Sequence, residues 1–486
     1  MIRKRVFLAL SVVLALSACE DDLMIENFNS EDLDNLIRNP TRASVQSATT
    51  GLLVGGRLEI DDGNGYVSLT GILGRESYNF DASDPRFVIE MLEQPMDPGS
   101  RAFGGNIWSE RYSNIRLGNI VLAAVELLGT APTGETPTAL QFSAEEKEAI
   151  RGFVKTMQAH EFLLVINTRD VNGAVVDVDR DPRGDPGPIV AKAEVLAHIA
   201  ALLDEARDHL DDAGGSFPFA LTSGFVGFET PPSFRTFNRA LAARVEAYRA
   251  SPDCAGCGGD WAAVLIELGE SFVNPGAPLD LGVYHVFSFI SGDETSPGNS
   301  PGNDLSPQIQ LLNILAHPSI ATDVEMQANG EPDLRFQNKV RQLAAPRSRA
   351  GLSSEYTFTH YDNPLSPIPI IRNEELILLR AEARFRTGAI GLAEDDINLI
   401  REESGGLDRI DLTGVTDDEF NDRILFERRY SLMFEGGHRW IDARRLNRLE
   451  DLPIDLPTHV LNAAFPIPEE DCLARGLEGS PGGGCV

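Results

Sequence analysis

The stretch SAEEKEAIRGFVKTMQAHEFLLVIN, residues 143–167, constrains the fold more than any other. Its apolar residues recur at the three- and four-residue spacing that lines one face of an α-helix. It opens on Ser143 with Glu146 three residues later, a capping box in which each side chain satisfies the other residue's free backbone N–H. A helix with such a stripe buries it only against a partner, and the chain supplies partners of the same kind. Residues 31–57 predict a helix start and a second helix ending at Gly55-Gly56, and Trp108 to Leu128 predicts another. VAKAEVLAHIAALLDEARDHL follows the central stretch, and residues 234–250 and 260–272 make a further pair. In the last third RNEELILLRAEARFRTG pairs with LAEDDINLIREESGG, and TDDEFNDRILFERRYSLMFEGG follows.

Paired helices joined by short turns predict a mainly α fold of the tetratricopeptide kind, each pair burying its apolar face on the next. The repeats are degenerate and show no strict period. Residues 57–103 are rich in Gly, Asp, Pro and aromatics and read as loop. Residues 273–370 read as a loop-rich insertion, with SGDETSPGNSPGND as a surface loop and strand signals scarce. A chain of 486 residues has room for about three domains. The continuous helix pairing instead predicts one domain over 31–486.

The N-terminus is of another character. Arg3, Lys4 and Arg5 precede an apolar run from Val6 to Ala18, about 13 residues. That is short of the ~20 needed to span a bilayer and matches the charged and apolar regions of a secretory leader. Leu16-Ser17-Ala18-Cys19 has the form of a lipobox. It predicts a lipoprotein signal peptide over 1–18, with Cys19 lipidated by acyl chains (palmitate among them) and residues 19–30 an acidic tether. The alternative is an ordinary leader whose cysteine is incidental. More than one acyl chain gives lasting membrane anchorage.

The net charge of −32 makes nucleic acid a poor partner, because phosphate binding depends on Lys and Arg. Besides Cys19 there are Cys254, Cys257, Cys472 and Cys485, an even set that in an exported chain favours disulfides. Sequence order suggests Cys254–Cys257 and Cys472–Cys485, although three pairings exist. Cys254-Ala-Gly-Cys257 also has redox or zinc spacing, but it lies in the turn-rich SPDCAGCGGD and reads as a loop staple.

Several segments in order carry a resemblance. PIIRNEELILLRAEARFRTG (369–388), ILFERRYSLMFEGGHRWIDARRL (424–446) and FPIPEED (465–471) resemble motifs of the SusD/RagB family. IWSERYSNIRLGNIVL (107–122), Asp333-Leu-Arg335 and the lipobox resemble its N-terminal helix, an internal motif and its leader. Glu20, Asp21 and Asp22 resemble the surface-export signal of Bacteroidetes-type lipoproteins, or form a plain solvated tether. The resemblance implies an outer-membrane lipoprotein facing the cell exterior, with a tetratricopeptide-like scaffold whose long loops form the ligand face. It implies binding of a glycan or peptide nutrient, passed to a SusC-like TonB-dependent transporter, with no cofactor. Of the motif residues, Arg372 and Glu375 flank a helix start, and Glu427, Arg428, Glu435, Arg439 and Asp442 read as a network closing one helix on the next, a structural role. Trp108 and Tyr112, four apart on one helix, read as core rather than ligand platform.

Signatures of catalysis fail on their context. Gly298-Asn-Ser300-Pro-Gly302 matches a nucleophile elbow only literally, among prolines. His160-Glu161 begins a zinc motif whose second His is Leu164. Asp177, Asp179 and Asp181 start like a calcium loop, but Pro182 and Pro188 occupy its Gly and Glu positions, so the segment reads as an acidic turn, with adventitious Ca²⁺ the lesser alternative. No metal site and no enzyme are predicted, though 74 acids leave accidental carboxylate pairs for a surface hydrolase open. A lipid-anchored protein–protein scaffold is the other alternative. Candidate ligand contacts are loop aromatics with polar neighbours: Arg75, Tyr78, Asn79 and Phe80, then Phe103 and Asn106, then Tyr356 and Tyr361.

Overall fold

The computed structural model describes residues 33–100, 104–181, 184–288, 302–477 and 485. Cys19 and the leader, Phe103, and most of the Gly298–Gly302 motif lie outside the described residues.

The fold is mainly α and follows the predicted pairing. The principal helices are α1 (Arg42–Gly55), α2 (Asn106–Leu127), α3 (Ala144–Arg169), α4 (Lys192–Asp211), α5 (Pro231–Ala250) and α6 (Trp261–Glu270). After the insertion come α7 (Asn373–Arg386), α8 (Ile390–Ile400), α9 (Asp417–Ser431), α10 (His438–Arg445) and the short α11 (Glu469–Ala474). Each helix from α1 to α8 packs on the next in chain order, and α9 on both α7 and α10, as in a tetratricopeptide array. The capping box of α3 forms: Glu146 N–H donates to Ser143 Oγ at 3.1 Å and Ser143 N–H to Glu146 Oε2 at 2.9 Å. Thr416 and Glu419 repeat the device at α9. Arg42 of α1 then clamps Glu146 with both amino groups, at 2.5 and 2.6 Å, so the cap also fixes how α1 meets α3.

The insertion departs from its reading as loop. Gly282–His285 pairs antiparallel with Ile368–Arg372, so the chain leaves the array and returns to it through one two-stranded neck. Beyond the neck lies a four-stranded sheet of β1 (Ser77–Asn79), β2 (Ile314–Ala316), β3 (Val340–Arg349) and β4 (Leu352–Phe358), in the order β1-β2-β4-β3. β1 comes from the loop-like region 57–103, which also holds the helices Tyr66–Leu73 and Arg86–Glu93. A second core forms here, with Tyr78, Phe358, Phe434, Trp440 and Phe465 buried in it. Phe358 stacks on Phe434 with ring centroids 4.2 Å apart, joining β4 to the Phe434–Gly437 turn between α9 and α10. Among the described residues no helix is long and apolar enough to cross a membrane.

The motif residues lie between these two halves. Arg428 Nε donates to Asp442 Oδ2 and Arg445 Nε to Asp442 Oδ1, both at 2.7 Å, tying α9 to α10. Glu427 accepts from Arg335 and Arg401, and Glu375 accepts a two-pronged contact from Arg244 of α5. Arg372, at the neck, reaches Glu435 in the turn after α9. Arg439 takes no part in this network.

Candidate ligand-binding site

The cleft between α2, the loop after α3 and α11 encloses about 350 Å³. Its position follows from three local features. α3 ends where Gly173 turns back at φ 73°, and a Cβ there would lie 2.1 Å from the Val190 carbonyl oxygen, so only glycine fits. That turn sends Ala174–Val175 to pair antiparallel with Ile189–Val190, and the loop between them overhangs α2. Tyr112 pins the loop: its hydroxyl donates to the Val175 carbonyl and accepts from the Val175 N–H, each at 2.8 Å.

With its hydroxyl spent on the backbone, Tyr112 offers the cleft only ring surface. It is half-buried, and Trp108 packs on it with centroids 4.6 Å apart. Trp108 is only 4 % exposed, yet it borders both this cleft and an adjoining recess of about 80 Å³ against Pro98 and Gly99. Arg169, above the Trp108 ring at 5.2 Å, holds the indole from behind. Around the aromatic floor stand Arg116 from α2, Asp177, Arg180 and Asp185 from the overhanging loop, and Asp471 and Arg475 from the C-terminal segment. Arg475 is set by Asp471 Oδ1 at 2.8 Å and by the Gly187 carbonyl at 2.9 Å, which joins the two walls. The structure records disulfides Cys472–Cys485 and Cys254–Cys257. In the first, Cys472 belongs to α11, next to Asp471.

An aromatic surface ringed by planar carboxylates and guanidiniums suits a polyhydroxylated ring. The apolar C–H face of such a ring lies on the aromatic side chain, and its hydroxyls meet charged acceptors and donors.

The residues chosen from sequence fall elsewhere. Arg75 is fully buried and donates to the Ile72, Pro453 and Val460 carbonyls. Tyr78, Asn79 and Phe80 are buried through β1, and Tyr361 is buried with its hydroxyl on the Phe434 carbonyl at 3.1 Å. These five hold the loops to the second core and turn no face to solvent, which corrects their reading as ligand contacts. Asn106 and Tyr356 are half-buried, and neither lines the cleft. The cleft brings together Trp108, Tyr112, Asp177 and Asp181, which sequence reading assigned to core and to an acidic turn. It adds Arg116, Arg180, Asp471 and Arg475, which that reading passed over. The available signal was DVDRDPRGDPG, a polar turn-rich excursion between two strong helices.

Among the described residues the His160-Glu161 signature does not form a metal site. Glu161 is buried and accepts from Arg111 at 2.8 Å and Asn114 at 2.7 Å. Neighbouring His160 is held neutral by burial, its pKa pushed down to about 3. Ser319, His317 and Asp455 form a hydrogen-bonded row, but Arg429 donates to the Ser319 hydroxyl at 2.7 Å and the Ser319 N–H caps His317 Nδ1. None of the three lines the cleft. Among the described residues no group of three His, Cys, Asp or Glu side chains is arranged to hold a metal ion.

Comparison with known proteins finds a family match over part of the chain. Residues 347–457, which include the Arg372–Glu435 and Arg428–Asp442 pairs, match the SusD family. Over those residues the chain is similar to that family. Its fold agrees over most of its length with solved SusD-like structures. A SusD homolog from Bacteroides thetaiotaomicron superposes with a TM-score of 0.67 at 14 % identity, over 92 % of this chain and 98 % of that one. The surface glycan-binding protein A of the same organism gives 0.66 at 13 % identity, over 90 % and 97 %. A laminarin-binding SusD-like protein gives 0.58 at 16 %, over 89 % and 97 %. Likeness at these identities carries the fold and leaves the ligand to the site. No curated protein matches the sequence.

Proposed function

We propose that this chain is a carbohydrate-binding protein that takes an oligosaccharide in the cleft over Tyr112 and catalyses no reaction on it. The carrying observation is the half-buried Tyr112 ring, its hydroxyl satisfied by Val175, set among Arg116, Asp177, Arg180 and Asp471. SusD-like structures of the same fold include a surface glycan-binding protein and a laminarin-binding protein, which supports a glycan over a peptide. The remaining parts of the reading are lipidation at Cys19, exposure on the outer membrane and delivery to a SusC-like TonB-dependent transporter. They follow from the leader and the family.

Calorimetric titration of the purified protein with soluble glycans, laminarin among them, tests the ligand class. Saturable binding that Tyr112→Ala weakens supports the proposal, and heats for peptides alone contradict it. Co-purification of a TonB-dependent barrel with the C-terminally tagged protein from outer membranes tests delivery. Recovery without a barrel would leave a lipid-anchored glycan binder.

A further inference from the structure

A second cavity, of about 260 Å³, lies between α9, α10, Asp323 and the segment 448–452 that follows α10. Three guanidiniums face it, from Arg429, Arg439 and Arg448, and the half-buried ring of Phe426 forms part of its wall. The carboxylates that share the cavity are already engaged or lie at its mouth. Asp442 is spent on Arg428 and Arg445, and Asp323 on Arg429 at 2.7 Å. Asp422 is 72 % exposed, its carboxylate 3.7 Å from Arg448. Arg439 differs from the other arginines here. It makes no hydrogen bond or ion pair among the described residues, and its Nε is withdrawn from solvent without a partner. The Nε of Arg429, a residue 8 % exposed, is in the same condition. A chain with a net charge of −32 does not lack carboxylates to pair with an arginine. A partly buried guanidinium left open beside a cavity is therefore an acceptor site for an anion from outside.

We propose that this cavity binds a sugar acid through its carboxylate. Arg439 receives the carboxylate in the planar, two-pronged geometry that a guanidinium offers and an ammonium does not. The pyranose ring then lies against Phe426. A single carboxylate, rather than a polyanion, fits the site, because Asp422 and Asp451 at the mouth repel further negative charge. The cavity is separate from the Tyr112 cleft, with no lining residue in common, so the two sites are tested independently.

The test titrates the purified protein with D-glucuronate, D-glucose and inorganic sulfate, using calorimetry or ligand-observed NMR. Saturable binding of glucuronate is expected, with glucose at least tenfold weaker. Arg439→Gln is expected to weaken glucuronate at least tenfold, and Tyr112→Ala to leave it unchanged. Asp422→Lys, a change on an exposed side chain, is expected to tighten glucuronate severalfold and keeps the test decisive if Arg439→Gln does not fold. Equal affinity for glucose and glucuronate would overturn the proposal, as would glucuronate binding lost in Tyr112→Ala or indifferent to Asp422→Lys. Sulfate binding as tightly as glucuronate would replace the sugar acid with a simple oxyanion and overturn it as well.

Discussion

Arg372 closes on Glu435 across sixty-three residues of chain, Nε to Oε2 at 2.8 Å, both side chains at most 7 % exposed. The contact fastens the neck of the insertion to the turn joining α9 and α10. Lys339, from the end of the segment before β3, adds a second cation on Glu435 Oε1 at 2.5 Å. Glu435→Gln removes the carboxylate that Arg372 and Lys339 share, leaving Arg372 with Glu374 and Lys339 with the Ser431 carbonyl, and losing one partner of a buried pair costs about 3–5 kcal/mol. Urea denaturation is expected to show a loss of that size. A loss within 1 kcal/mol, about the worth of an exposed pair, would show that the contact is dispensable.

The same pair sets an acid limb. Burial alone would raise the Glu435 carboxyl, but Arg372 and Lys339 outweigh it and hold the pKa at about 2. A carboxyl depressed in the folded state contributes stability above its unfolded value, near 4.5. That contribution is lost as pH falls from there towards 2. Stability measured from pH 5 to 2 is expected to fall less steeply in Glu435→Gln than in the parent.

Asp61 has the opposite sign. Burial, with Asp62 and Asp304 beside it, pushes its carboxyl up to about 8, although the Asp304 N–H donates to it at 3.0 Å. The folded state therefore holds a proton the unfolded chain releases near 3.8, and stability falls as pH rises between those values. Asp61→Asn retains the acceptor for Asp304 N–H and removes the charge. It is expected to raise stability at pH 8 by roughly 1 kcal/mol or more and to make little difference at pH 4. Thermal melts at the two pH values check this.

Tyr112 has two separable roles. Tyr112→Phe removes two hydrogen bonds to Val175, each worth about 1 kcal/mol, and keeps the ring. It is expected to lower stability while retaining most glycan affinity. Tyr112→Ala removes the ring as well and is expected to weaken binding at least tenfold. Equal binding losses in the two variants would place the role in loop anchoring instead.

The Cys472–Cys485 bridge secures the segment bearing Asp471 and Arg475. Replacing both cysteines with serine is expected to weaken glycan binding severalfold and to cost up to about 3 kcal/mol of stability, the chain-entropy value for so short a loop. Titration and melting of the double variant measure both effects.

The helical array was legible because its signals are local. The Ser143–Glu146 and Thr416–Glu419 caps and the apolar periods around them need no distant partner. The sheet was not legible, because its strands pair across the chain: Ser77 lies opposite Ala316. β3 also reads VRQLAAPRSR, with alanines, a proline and arginines that carry little strand preference. Pro346 is tolerated because β3 is an edge strand whose register shifts between Gln342 and Arg347. The motif pairs were readable as charges at helix ends, but not the isolation of Arg439, which depends on where its neighbours' carboxylates turn. The site went astray for a related reason. Loop aromatics such as Tyr78 and Tyr361 look exposed in the sequence, yet they are buried in the second core together with the helices Tyr66–Leu73 and Arg86–Glu93. Tyr112, on a helical stripe, looked like core because its exposure is created by a loop more than sixty residues away.

The most direct test of the central claim is titration of the purified protein and of Tyr112→Ala with a panel of oligosaccharides and peptides. Saturable binding of at least one oligosaccharide, weakened tenfold or more by Tyr112→Ala in a variant that still melts cooperatively, is the predicted result. Binding of peptides only, or oligosaccharide binding that Tyr112→Ala leaves intact, would contradict the account.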